Sequence, residues 1–105
     1  MSKLWRSFFG YSDDNPNESY NEAVGRAKQM LSEGNCEDAC RILRYAEKQE
    51  HAEAMYLLAW CHWKGEGVRE DAGRAVGLWK QSAKLGFDAA IHRIQELKTA
   101  GYIDQ

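Results

Sequence analysis

The chain is 105 residues long, the size of one compact domain. It is 44% apolar and 29% charged, with a formal net charge of −2. That balance gives no electrostatic drive toward DNA or RNA, because duplex binding needs a concentrated basic face. No apolar run approaches the roughly 20 residues of a membrane helix, and the start lacks the apolar segment and cleavage site of a secretory signal. The expected location is the cytoplasm.

The first element in chain order is an aromatic head, Leu4-Trp5-Arg6-Ser7-Phe8-Phe9. The breaker run Ser12-Asp13-Asp14-Asn15-Pro16-Asn17 divides it from the first helix. The expected organisation is therefore a head and linker over 1–17 and a helical repeat domain over 18–105. Three readings of the head stay open: a cap folded back on the domain, a docking peptide, or a weak peripheral membrane contact through Leu4, Trp5, Phe8 and Phe9.

From about Glu18 to Ser32, Ala23, Ala27, Met30 and Leu31 recur at helical spacing, and Gly34-Asn35 ends the helix. A second helix is expected from about Cys36 to Gln49, with Ala39, Leu43 and Ala46 on one face. The short link forces the two into an antiparallel hairpin. A third, about Ala52 to Lys64, is dense in large apolar residues, and Gly65-Glu66-Gly67 breaks it. A fourth runs from about Ala72 to Leu85 after a cap at Asp71, with Ala75, Leu78, Trp79 and Ala83 inward, and closes at Gly86. The fifth, about Asp88 to Ala100, ends at Gly101. Val and Ile are sparse and nowhere alternate over a strand-length run. The expected fold is all-α, a short right-handed α-solenoid of antiparallel helix hairpins with about five helices.

Ala54, Leu58 and Gly65 recur as Ala90, Ile94 and Gly101, each 36 positions on, and the same shift carries Ala39 to Ala75 and Leu43 to Trp79. Repetition of this kind marks stacked helix pairs that bury their apolar faces on one another. Ala54, Leu58, Gly65, Gly67, Val68, Asp71, Ala75, Ala83 and Gly86 resemble a Sel-one-like repeat of the tetratricopeptide-like superfamily. The departures are Ala59 for Gly, His62 for Tyr, Leu78-Trp79 for Trp-Tyr, and Ser82 for the first Ala of a pair. Residues 20–50 look more like a tetratricopeptide unit, and 88–104 like the first helix of a third unit, acting as a cap. The resemblance implies a scaffolding, adaptor or inhibitory role without catalysis. In such arrays Gly65, Gly67 and Gly86 are structural turn residues, and the first helix of each pair lines a concave side.

Outward-facing positions of those first helices are the expected partner-binding residues. On the third helix they are Glu53, Tyr56, Trp60, Trp63 and Lys64, with the core face supplied by Leu57, Leu58, Cys61 and His62. The first helix adds Asn21, Val24, Lys28 and Leu31, and the fifth adds His92 and Glu96. The aromatic stripe is open to two readings, ligand-facing anchors or plain core. The expected partner is a protein or peptide and not nucleic acid, with the chain itself a monomer or weak homo-oligomer. An immunity or antitoxin-like inhibitor of a cognate toxin or enzyme is the alternative role.

A catalytic or metal reading has less to stand on. Cys36 and Cys40 lie one turn apart on a helix, which suits half of a metal site, a redox pair, or two small residues at a helix contact. His51, His62 and His92 show no spacing that completes a metal site. Gly65-Glu66-Gly67 lacks the longer glycine pattern and the Lys-Ser/Thr of a phosphate loop. The expected cofactor is none.

Overall fold

The computed structural model describes residues 19–104. The expected head at 1–17 and both ends of the expected repeat domain lie outside the described residues. Among the described residues there are five helices and no strand: α1 (Tyr20–Ser32), α2 (Cys36–Lys48), α3 (Ala52–Lys64), α4 (Ala72–Lys84) and α5 (Asp88–Ala100). Consecutive helices pack on one another, and α1 also meets α3. This is a short α-solenoid.

The helix starts are set by side chains that satisfy otherwise orphaned backbone donors. Ser19 and Glu22 form a reciprocal capping box, which starts α1 at Tyr20 and not at Glu18. His51 caps α3: its Nδ1 accepts from Ala54 N–H at 3.2 Å, so its Nε2 donates to Asn21 Oδ1 at 2.6 Å. Asp71 caps α4 by accepting from Arg74 N–H at 3.0 Å. Gln49 and Leu85, expected as last helical residues, serve instead as C-caps of α2 and α4.

The core runs through all five helices. Its fully buried side chains include Val24, Ile42, Leu43, Leu58, Leu78, Trp79 and Leu97, each stabilising the fold by about 1.5–3 kcal/mol or more. Alanines at 23, 27, 39, 46, 54, 59, 75 and 90 are buried between them and let the helices approach closely. Val24, expected on the outward face of α1, is 0% exposed. The correction has a simple cause: α1 packs on both α2 and α3, so its apolar stripe must widen from Ala23 and Ala27 to include the adjacent position. On α3, Leu58 and Cys61 are buried, whereas Leu57 and His62, expected as core, are only half-buried. Ser82 is wholly buried and donates to Ala52 carbonyl at 2.7 Å, tying α4 to the start of α3.

All five helices have thirteen residues. The links at 33–35, 49–51 and 85–87 are of equal length, and the link at 65–71 is four residues longer. Hence α1 and α3 start 32 positions apart, while α2 and α4, and likewise α3 and α5, start 36 apart. The long link folds back on the preceding hairpin. Gly67 lies at φ +75° so close to α2 that a Cβ there would sit 2.4 Å from the Cys36 carbonyl oxygen. Asp71 N–H donates to His62 carbonyl at 2.8 Å, and the His62 ring Nδ1 donates to Arg69 carbonyl at 3.1 Å. Gly65 and Gly86 also take positive φ, 72° and 91°.

Candidate partner-binding face

The first helices of the hairpins, α1, α3 and α5, bring side chains together along one connected face. Lys28 on α1 forms an ion pair with Glu53 on α3 at 2.9 Å. At the other end of α3, Trp60 and Trp63 are half-buried and packed against the core. Both meet the buried Trp79 of α4, with ring centroids 5.0 Å and 5.4 Å away. Tyr56, also half-buried, packs on Phe87 at 5.3 Å. Lys64 is exposed and stands over Trp60, its Nζ 5.5 Å from the ring centre. Glu96 is exposed and accepts from Arg93 at 3.3 Å.

Six of the expected partner-binding side chains thus belong to two linked groups, Lys28–Glu53 and the aromatic cluster with Trp60, Trp63, Lys64 and Glu96, while Tyr56 stands apart on Phe87. His92 is exposed on α5 and, among the described residues, is joined to none of them by a hydrogen bond or ring contact. The tryptophans are neither bare surface nor full core. Each lays one side on the protein and leaves part of its ring to solvent. Between the C-terminal ends of α1 and α3 lies a groove of about 380 Å³ lined by Leu31, Ser32, Leu57, Trp60, Cys61, Lys64 and Glu66.

Arg93 is the side chain of this cluster that sequence reasoning missed. Its guanidinium carbon lies 4.5, 5.1 and 4.6 Å from the ring centres of Trp60, Trp63 and Trp79, a cation enclosed by three indoles. The signal was present: Arg93 stands 36 positions after Leu57, a charged residue at an apolar position of the repeat.

Of the turn-spaced thiols, Cys40 is buried and Cys36 half-buried. Cys61 of α3 and Cys40 of α2, both buried, share a hydrogen bond, and Cys40 also donates to Glu66 carbonyl at 3.5 Å. Its bond to Cys40, and burial after it, push the Cys61 thiol up. Burial, then the nearby Glu66, pushes Cys36 up as well. Cys61 and Cys36 are therefore poor nucleophiles, since the thiolate is the reactive form, whereas the bond with Cys61 draws the Cys40 thiol down. Among the described residues no three His, Cys, Asp or Glu side chains converge as metal ligands would. His51 and His62 are occupied in a cap and a loop bond, and neither bonds a thiol.

Residues 52–87, holding the whole of α3, the long link and α4, match the Sel1 repeat family. The chain carries a Sel1 repeat. Sel1 repeats generally mediate protein–protein interaction and are generally not catalytic. No curated protein matches the chain. No helix among the described residues is long and apolar enough to cross a membrane.

Proposed function

We propose that this chain is a non-catalytic protein-interaction module, an adaptor or regulator, that takes a protein or peptide partner on the face formed by α1, α3 and α5. The supporting observation is the half-buried Trp60–Trp63 cluster beside an apolar groove, flanked by Lys64 and Glu96. Aromatic rings held on one side and open on the other suit interface anchors, because little side-chain freedom remains to be lost on binding. The net charge of −2 favours a protein over nucleic acid. The chain acts in the cytoplasm as a monomer or weak homo-oligomer, and any membrane contact through Leu4, Trp5, Phe8 and Phe9 is weak and peripheral.

The test is site-specific photo-cross-linking in cells. A photoreactive residue replacing Tyr56 or Lys64 should capture a partner, whereas one replacing Arg44 or Lys80, exposed on the second helices α2 and α4, should not. Adducts confined to positions 44 and 80 would move the interface to the other side and end this reading.

A further inference from the structure

The aromatic cluster holds more hydrogen-bond donors than acceptors. Arg93 offers five N–H groups, yet among the described residues it makes one hydrogen bond, to Glu96 at 3.3 Å. Its side chain is 16% exposed, and its Nε is buried with no acceptor among the described residues. Trp79 Nε1 is likewise buried without a partner among them. Lys64, over the Trp60 ring, forms no ion pair among the described residues. Two cations thus share one indole, served by a single carboxylate, that of Glu96, whose side chain is 66% exposed.

We propose that Arg93 and Lys64 form a subsite for an acidic side chain, Asp or Glu, of a peptide segment in the partner, whose neighbouring apolar side chain enters the groove beside Trp60. This deepens, and rests on, the protein-binding reading above. The three indoles hold the guanidinium plane in place, so its fork is pre-organised for a carboxylate. Trp60 serves both halves of the ligand, since Trp60 and Lys64 line the groove together and Arg93 lies 4.5 Å from the Trp60 ring centre. The two subsites therefore lie within a residue or two of each other along an extended peptide. Glu53, Glu66 and Glu96 on the same face disfavour a polyanion such as nucleic acid, while a single carboxylate needs only the Arg93–Lys64 end.

A random peptide library displayed on phage and selected on the full chain tests this directly. Binders are then synthesised and titrated by tryptophan fluorescence, for which Trp60, Trp63 and Trp79 are three of the four reporters in the chain. The expected result is an enriched pattern of an apolar residue beside Asp or Glu. Changing that acid to Asn or Gln should weaken binding at least tenfold, and so should Arg93→Lys, which keeps the charge but loses the fork. Lys64→Glu, at an exposed site where folding is not at risk, should weaken the acidic peptide and improve a version carrying Lys in its place. Peptides that bind in a Trp60-dependent way but ignore the acid overturn this inference and leave the protein-binding reading standing. Absence of any Trp60-dependent binder overturns both. Binding that emerges only when Trp5, Phe8 and Phe9 are changed to Ala assigns the groove to the chain's own head, and also overturns the proposal.

Discussion

The first hairpin, α1–α2, and the second, α3–α4, use helices of the same length but join them differently. The first turns through 33–35, where a Cβ added at Gly34 would meet nothing within 4 Å. The second turns through 65–71, and that link packs on the first hairpin, with Gly67 against the Cys36 backbone and Glu66 carbonyl accepting from Cys40. The side chains differ too: Leu43 in the first hairpin stands where Trp79 stands in the second. The turn of the first hairpin is only a connector, whereas the Sel1 link is part of the joint between repeats. The expectation that follows is that the second hairpin, with Trp79 at its core, contributes more to stability than the first.

That comparison is most easily broken at the core. Trp79 is 0% exposed and supports both Trp60 and Trp63, so Trp79→Ala should cost about 3–5 kcal/mol and abolish the near-ultraviolet circular dichroism of the cluster. Leu43→Ala, at the matching position, should cost less in urea denaturation; an equal or larger loss would show that the first hairpin dominates. The turns come next. Gly67→Ala forces a side chain into left-handed backbone and onto a carbonyl that cannot move aside, at a cost of at least about 2 kcal/mol. Gly34→Ala has a similar φ, +86°, but open space, and should cost only about 1 kcal/mol. Equal urea midpoints for the two variants would mean the Sel1 link is no more than a connector.

Much of this architecture was legible because the determinants are local. Glycines at 34, 65, 86 and 101 mark the helix ends, the period of 36 relates α3 to α5 and α2 to α4, and Asp71 announces a cap. The Gly65-Glu66-Gly67-Val68 link could be recognised as a turn, but not that it packs on Cys36, since such a contact joins segments from different hairpins. Rotation about a helix axis was the weak point. Val24 was expected outward and Leu57 inward because one helix in an array contacts two neighbours, and a single apolar stripe does not say how wide the contact is. The pairing of Cys40 with Cys61, and Arg93 with the tryptophans, depends on which helices become neighbours.

The binding stripe sharpens the comparison at lower energy. Trp60 is half-buried, so Trp60→Ala should cost about 1–3 kcal/mol of stability, clearly less than Trp79→Ala on the same melt. Partner affinity should fall by about 2 kcal/mol or more, the scale of an interface anchor. If affinity is unchanged in a folded variant, the stripe is a support for Trp79 and the partner docks elsewhere.

The smallest effect tests whether the two hairpins close in the same way. At the end of α4, Gly86 N–H donates to Ala83 carbonyl and Phe87 N–H to Ser82 carbonyl, at 2.9 Å and 3.2 Å. At the end of α2, Glu50 N–H donates to Glu47 carbonyl and His51 N–H to Ala46 carbonyl, at 2.9 Å and 3.1 Å. These are the same bonds shifted by the repeat, and they require a left-handed residue after the helix. The second hairpin supplies glycine at φ +91°, while the first holds Glu50 at φ +60°, the one such non-glycine residue among those described. Placing Glu there costs about 1 kcal/mol in the folded state, and replacing it by glycine gives back about 0.4–1 kcal/mol through the freer unfolded chain. Glu50→Gly should therefore raise stability by no more than about 0.5 kcal/mol, whereas Gly86→Ala, with the same two contributions reversed, should lower it by about 0.5 kcal/mol. Opposite signs in paired urea melts would show that both hairpins share one closing turn and that the first carries the strained copy. A clear loss for Glu50→Gly would mean that the glutamate side chain makes a stabilising contact, and the equivalence of the two ends would fail.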